Sequence, residues 1–192
     1  MFDDLRGSTD QIVGYARLIS DLAAGRELRP SKTMGLMSEV VRRSSEYLEA
    51  DGRSQEIYIT VDIDEDPPET CFDPLYIFRI VQNLVGNAIK AVHETRPEGH
   101  VGPWGGVGVR YRFDGTHHRI EVSDTGPGMT QETAERILSG NARSQWDKAS
   151  GSGWGLKIVL ELTATHGGIV SIESEPGKGA TFRVVFPHVP AP

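Results

Sequence analysis

The stretch NLVGNAIKA, residues 83–91, places two amides and an ammonium on one face of a predicted helix. Asn83, Asn87 and Lys90 follow helical spacing, so their side chains share that face. An amide inside a helix is ordinarily solvated or caps a terminus, and two in register beside apolar neighbours are unusual. Amide oxygens complete an octahedral Mg²⁺ shell together with phosphate oxygens and water, and a lysine neutralises phosphate charge. The pattern predicts a face that binds phosphate and magnesium.

A second motif, VSDTGPGM, follows at residues 122–129. Asp124 ends a predicted strand, and Gly126 and Gly128 allow a tight turn in which backbone lies close to a ligand. A carboxylate at this point accepts a hydrogen bond from an exocyclic amine. The alternative for this motif alone is an ordinary Asp-Thr-Gly-Pro turn without a ligand.

A third motif, GSGWGLKIV at residues 151–159, has three glycines leading into a helix. The backbone N–H groups of Gly151, Gly153 and Gly155, with the positive end of the helix, predict an anion site. The spacing is not that of a dinucleotide fingerprint, and the Gly-Lys-Ser/Thr ending of a Walker loop is missing.

The order of periodic segments predicts an α+β fold, with one mixed sheet covered by helices on one face. Two amphipathic helices come first, and the second runs from Ser31 to Ala50. Its apolar seam consists of Met34, Met37, Val41, Ser44 and Leu48, and a seam this narrow favours a dimeric four-helix bundle. The alternative is that these helices pack back onto their own domain. We therefore predict a helical hairpin over residues 1–54 and a second domain over residues 55–192.

Composition excludes several classes of protein. The net charge of −7 argues against a nucleic-acid surface and against binding to anionic membranes. No run approaches the roughly 20 apolar residues of a membrane span, and nothing resembles a signal peptide. The single cysteine, Cys71, lies in an apolar run and is interpreted as a small buried hydrophobe. We expect a cytoplasmic protein.

Together with the closing GKGATFRVVFP, residues 177–187, the three motifs resemble the ATP-binding domain of histidine kinases. That domain belongs to the superfamily shared with gyrase, a heat-shock chaperone and mismatch-repair ATPases. The resemblance covers residues 57–187 and implies a two-layer α/β sandwich that holds ATP and Mg²⁺ beneath a mobile lid.

The resemblance also implies roles for individual residues. Asn87 ligates Mg²⁺, and Asp124 receives the adenine amino group. Asn83 and Lys90 support the phosphate side, Lys90 as a catalytic residue. The remaining implied contacts, which shape the adenine pocket or line the triphosphate, are Gly126, Gly128, Gly151, Gly153, Gly155, Leu156 and Thr181.

The predicted lid departs from the family pattern. Leu138 and Asn141 stand where aromatic residues are common in histidine kinases. Arg143 or Lys148 remains able to reach the γ-phosphate, and Trp154 is expected to stack on the lid.

The opening helix resembles the phosphoacceptor helix of histidine kinases without its histidine. That helix reads His, acid, Leu-Arg and, eleven residues after the histidine, Gly-Tyr; this chain has DDLR followed by Gly14-Tyr15 at the same interval. Asp3 occupies the histidine position, and Asp4 matches the acid that acts as base. A carboxylate at Asp3 repels the triphosphate, so we expect impaired autophosphorylation.

The resemblance as a whole implies an ATP-binding, histidine-kinase-type protein of two-component signalling, dimeric through its hairpin. Its expected partner is a response regulator or another kinase, whose histidine it phosphorylates or regulates. The alternative is a nucleotide-gated binding module, or a serine kinase of the anti-sigma type from the same superfamily.

Overall fold

The structure, a computed structural model, describes residue 20 and residues 24–140 and 155–190. Within these ranges the chain forms four helices and seven strands. In chain order they are β1 (Thr33–Gly35), α1 (Met37–Ser54), β2 (Tyr58–Ile63), β3 (Thr70–Phe72), α2 (Pro74–Glu94), β4 (Gly106–Phe113), β5 (His117–Asp124), α3 (Gln131–Leu138), α4 (Gly155–Thr165), β6 (Ile169–Ser174) and β7 (Ala180–Pro187).

The main sheet has the strand order β2-β4-β5-β7-β6. Strand β2 runs parallel to β4, and the other neighbours are antiparallel, so the sheet is mixed. Alternate residues of β5 and β7 point inward, among them Ile120, Val122 and Val184, and they join one core with apolar residues of α2 and α4. The predicted α+β fold with a mixed sheet is confirmed.

Helix α2 is the central element of the helical layer. Asp73 caps its N-terminus, because the carboxylate Oδ1 accepts from the backbone N–H groups of Leu75 and Tyr76, and Pro74 takes the first helical position. One stripe of the helix is buried against the sheet and the neighbouring helices. Its members are Tyr76, Ile77, Ile80, Val81, Leu84, Val85, Ala88, Ile89 and Val92. This burial fixes the rotation of the helix, and with it the direction of the asparagine face.

The opposite face of the sheet carries a row of alternating charges. Asp62, Arg110, Glu121 and Arg183 stand directly opposite one another on β2, β4, β5 and β7. Ion pairs join them along the row, the shortest being 2.7 Å between Nε of Arg183 and Oε1 of Glu121. A charged row of this kind suits a face in contact with water, which agrees with the described helices packing on the other face.

The second helix differs from its predicted form. Residues 33–35 form β1 and pair antiparallel with β3, so α1 begins at Met37 rather than Ser31. The prediction of a helix at Met34 was wrong. It relied on helical spacing, whereas the conformation is set by hydrogen bonds to β3, which lies far along the chain. Met37 and Val41, two residues of the predicted dimer seam, are fully buried in the core shared with α2. Helix α1, which lies before the predicted domain boundary at residue 54, thus packs in the same core as α2, which lies after it. Most of the first predicted helix lies outside the described residues.

Candidate functional site

The asparagine face of α2 contacts the start of α4. Nδ2 of Asn83 donates to the backbone carbonyl of Arg79 at 2.7 Å, which directs the rest of the amide away from the helix axis. A β-carbon placed on Gly155 would lie 3.0 Å from Oδ1 of Asn83 and 3.6 Å from Nδ2 of Asn87. Both amides therefore face the glycine at the N-terminus of α4, and this close approach favours a residue without a side chain.

Two turns further along α2, the same helix contacts the turn that follows β5. A β-carbon on Gly126 would lie 2.9 Å from Cβ of Ala91 and 2.8 Å from Oδ1 of Asp124. Oδ1 of Asp124 accepts the backbone N–H of Gly126 at 2.8 Å, so the turn fixes the orientation of the carboxylate. Burial raises the pKa of Asp124, and hydrogen bonds from the amides of Gly126 and Ala180 offset part of that increase.

The turn of residues 126–129, called the Gly126–Met129 turn below, is locked to the β6–β7 hairpin. Gly128 has φ +63°, and a β-carbon there would overlap the backbone carbonyl of Glu175. The backbone N–H of Gly177 donates to the carbonyl of Pro127 at 2.6 Å, and the N–H of Met129 donates to Oγ of Ser174 at 2.9 Å. The turn is therefore held from two sides, by α2 and by the hairpin.

The side of α2 between these two contacts, from Asn83 to Ala91, is called the groove below. Asn83 and Ala91 are eight residues apart, which corresponds to about 12 Å along the helix axis. One end holds two amides and the N-terminus of α4, and the other end holds the half-buried carboxylate of Asp124. The carboxylate end provides a hydrogen-bond acceptor for an amine. At the other end, backbone N–H groups can bind an anion, and amide oxygens can bind the cation that accompanies it.

The other predicted site residues have different surroundings. Lys90 is exposed on α2, Leu156 is half-buried on α4, and Thr181 lies on β7 opposite Ser123, one position from the Asp124–Ala180 pair. Several predicted residues lie outside the described ranges, namely Asp3, Asp4, Asn141, Arg143, Lys148, Gly151, Gly153 and Trp154. Leu138 ends α3 and is half-buried.

Sequence reasoning missed two residues that shape this end of the groove. Ser174 bonds to the Gly126–Met129 turn. Gly179 has φ +78°, and a β-carbon there would overlap the backbone carbonyl of Asp124. Both belong to SEPGKGA, residues 174–180, where the glycine at 179 was a signal of a close backbone approach.

The described residues beside Asn83 and Asn87 offer a cation amide oxygens rather than a cluster of acidic or histidine side chains. Within the described ranges, no group of three or more His, Cys, Asp or Glu residues is positioned to hold a metal ion. The amide oxygens of Asn83 and Asn87 are hard ligands of the kind that Mg²⁺ prefers, and an anionic ligand would supply further oxygens. The donor set fits magnesium bound together with a phosphate.

Comparison with known families identifies the fold. The family model described as histidine kinase-, DNA gyrase B- and HSP90-like ATPase matches residues 72–190, which include α2, the Gly126–Met129 turn and β7. The chain belongs to this family. The predicted resemblance to the ATP-binding catalytic core of histidine kinases is thereby confirmed.

Individual relatives point to the same branch of the family. The signal transduction histidine-protein kinase/phosphatase MprB of Mycobacterium avium is 35% identical over 161 residues, which cover 81% of this chain and 28% of that protein. The sensor histidine kinase ZraS of Escherichia coli is 28% identical over 151 residues, covering 79% of this chain and 30% of ZraS. The chain spans roughly 30–40% of the length of the curated relatives it matches.

Two solved structures have the same architecture. Full-length ShkA in complex with AMPPNP matches with a TM-score of 0.73 and 28% identity, covering 98% of this chain and 37% of ShkA. The catalytic domain of the histidine kinase ThkA matches with a TM-score of 0.68 and 25% identity, covering 83% of this chain and 99% of that domain. Among the described helices, none combines the length and apolar character that crossing a bilayer requires.

Proposed function

We propose that this chain binds Mg–ATP in the groove along α2 and acts as a histidine-kinase-type phosphotransferase module in two-component signalling. One observation carries the proposal: a single helix, α2, contacts Gly155 through its asparagines and Gly126 through Ala91. The two ends of the groove match the two ends of ATP in chemistry. The complex of ShkA with AMPPNP, an ATP analogue bound by a relative of the same fold, supports this assignment.

At the adenine end, Asp124 is the proposed recognition residue. Its Oδ1 is oriented by the N–H of Gly126, and a remaining lone pair of the carboxylate is proposed to accept a hydrogen from the adenine amino group. Burial of the carboxylate strengthens this hydrogen bond, because the local dielectric is low. Gly126 and Gly128 keep the neighbouring backbone close, and Thr181 lies beside the same end of the sheet.

At the phosphate end, Asn83 and Asn87 face the start of α4. Asn87 is the proposed protein ligand of Mg²⁺, which would neutralise charge that develops on the phosphates during transfer. The backbone at Gly155, preceded by Gly151 and Gly153, is proposed to surround the triphosphate together with Leu156. Lys90 is exposed on α2, one turn beyond Asn87, and is proposed to add a positive charge beside the phosphates.

Phosphoryl transfer by this chain is proposed to end on a partner rather than on its own opening helix. Asp3 occupies the position that a histidine has in the family, and Asp4 is the matching acid. An imidazole nitrogen attacks the γ-phosphorus and breaks its bond to the bridging oxygen of ADP, whereas a carboxylate repels the triphosphate. We therefore propose that the chain phosphorylates a histidine of another kinase or regulates a response regulator.

A dimer is proposed to rest on residues other than the predicted seam of the second helix. Met37 and Val41, from the seam of the second predicted helix, are buried in the core shared with α2 of the same chain. We propose that dimerisation rests on the first predicted helix. The same burial favours the second candidate function, a nucleotide-gated binding module, because α1 then serves the ATPase domain and not a phosphotransfer bundle. Light scattering of the whole chain separates the two: a dimer supports the kinase, and a monomer supports the binding module.

Calorimetric titration with Mg–ATP tests the site. Asp124→Asn reverses the polarity of one side-chain position and is expected to weaken ATP binding by about tenfold or more, because the adenine amino group then meets an N–H donor. Asn87→Ala is expected to abolish the dependence of affinity on Mg²⁺. Gln82→Ala, a half-buried amide on the same helix, is the matched control. Undiminished affinity in both Asp124→Asn and Asn87→Ala would refute the assignment.

A further inference from the structure

Ser174 stands at the point where the β6–β7 hairpin meets the Gly126–Met129 turn. It is the last residue of β6 and pairs in register with Ala180, which in turn pairs with Asp124 on β5. Ser174, Ala180 and Asp124 thus form one row at the end of the sheet. The row places a serine hydroxyl two strands away from the carboxylate proposed to recognise adenine.

The hydroxyl of Ser174 makes two hydrogen bonds that join separate segments. Oγ accepts the backbone N–H of Met129 at 2.9 Å and donates its own hydrogen to the carbonyl of Gly179 at 2.8 Å. A hydroxyl has one hydrogen to donate and two lone pairs to accept, so these two bonds are compatible. Gly179 is buried and Met129 is half-buried, so loss of the hydroxyl leaves their backbone groups without this partner in a region of limited water access.

We propose that Ser174 is a positioning residue for purine recognition, and this proposal rests on the proposed ATP site. The chain of contacts runs from Oγ of Ser174 to the N–H of Met129 and through the turn to the N–H of Gly126, which holds Oδ1 of Asp124. Ser174 itself touches no nucleotide in this scheme. It acts by keeping the turn in the conformation that presents the carboxylate of Asp124 to the base.

The expected consequence is specific to adenine. Without the hydroxyl, the turn populates other conformations, and apparent affinity falls in proportion to the competent fraction. Adenine presents an amino donor to Asp124, whereas guanine presents a carbonyl acceptor at the same position. A nucleotide that does not use Asp124 loses little when the carboxylate is misplaced. The Ser174→Ala change should therefore lower ATP affinity and leave GTP affinity nearly unchanged.

The test is calorimetric titration of the full chain with Mg–ATP and with Mg–GTP. We expect Ser174→Ala to weaken ATP binding about tenfold, corresponding to a loss of about one hydrogen bond to the base, and to lower the preference for ATP over GTP by a similar factor. Ser174→Thr keeps the hydroxyl and should restore the preference. Ser171→Ala removes a hydroxyl from the same strand opposite Arg183, away from the turn, and is the matched control.

Each result decides between the proposals. Unchanged ATP affinity in Ser174→Ala, or an equal loss for both nucleotides, would overturn the positioning role while leaving the proposed function in place. A wild-type chain that binds neither nucleotide would refute the proposed function and this proposal with it. If Ser174→Ala does not fold, Ser174→Cys serves instead, because a thiol of similar size is a weak donor and acceptor. Ser174→Cys should then have a lower preference for ATP over GTP than the wild type, and an unchanged preference would overturn the proposal. Hydrogen exchange at the Met129 amide, measured without nucleotide, should be faster in the same variant.

Discussion

Substitution of Gly128 by alanine tests whether the Gly126–Met129 turn and the β6–β7 hairpin are interlocked. Gly128 has φ +63°, and its added β-carbon would overlap the backbone carbonyl of Glu175. Gly177 is the matched control, since it has φ +79° in the same hairpin and no atom within 4 Å of its added β-carbon. The two variants share the strain of a left-handed backbone and differ in the overlap.

The magnitude follows from the contacts that the overlap breaks. The left-handed conformation costs an alanine about 1 kcal/mol relative to glycine, and this applies to both variants. The overlap at Gly128 involves backbone on both sides, so no side-chain rotation relieves it and the turn must move off the hairpin. That movement breaks the bonds from Gly177 to Pro127 and from Met129 to Ser174, at about 1 kcal/mol each. We expect Gly128→Ala to lower the free energy of unfolding by about 3 kcal/mol, and Gly177→Ala by about 1 kcal/mol.

Urea unfolding followed by circular dichroism measures both values, with an unchanged m-value as the condition for comparing midpoints. The same variants are then titrated with Mg–ATP. Gly128→Ala should bind more weakly because the turn holds Asp124, whereas Gly177→Ala should bind as the wild type does. If the two variants differ by less than about 0.5 kcal/mol, the overlap is relieved without loss of the two hydrogen bonds, and the interlock is refuted.

Three further predictions concern other parts of the fold. Burial raises the pKa of Asp124, so the folded state binds a proton more tightly than the unfolded state, and stability falls as pH rises through that pKa. Without nucleotide, Asp124→Asn should therefore melt at or above the wild-type melting temperature at pH 7. The difference between the two melting temperatures should shrink towards pH 4. Burial lowers the pKa of His118 to about 4, so below pH 6.5 the unfolded state takes up a proton that the folded state does not, and stability falls. Between pH 7 and pH 5 the free energy of unfolding of the wild type should therefore fall by about 2 kcal/mol more than that of His118→Gln. Equal losses in the two proteins would contradict this. A chain that begins at Gln55 lacks Met37 and Val41 and should lose cooperative thermal unfolding, whereas one that begins at Ser31 should keep it.

Local patterns in the sequence predicted most of the fold because they reflect burial on one face. The alternation in β5 and β7 and the apolar stripe of α2 each depend on neighbours within a few residues, and both match the structure. Strand β1 was missed because its hydrogen bonds go to β3, more than 30 residues away. Residues 33–35 carry the helical spacing of Met34 and Met37, and only the distant partner shows that this spacing does not produce a helix.

Part of the candidate site was predictable, because some of its residue types are rarely found in such positions for structural reasons alone. Two asparagines on an apolar helix, and an aspartate before a glycine turn, needed an explanation that packing did not provide. The interlock was not predictable, because it depends on the backbone of Glu175 and on a serine hydroxyl at the end of a strand. Serine is common at strand ends, and its partners became apparent only when two distant segments were seen together.

The order of the strands in the sheet has a consequence for synthesis on the ribosome. Strand β7 follows the other six strands in sequence but lies inside the sheet, between β5 and β6. Until residues 180–187 have left the exit tunnel, β5 has an open edge and β6 has no neighbour in the sheet. The segment after β7 adds to this, because the backbone of Val189 bonds to Cys71 and Thr70 near the start of α2. A nascent chain therefore carries an unpaired strand edge from the emergence of β5 until the emergence of β7, and during that interval the edge is open to pairing with another chain.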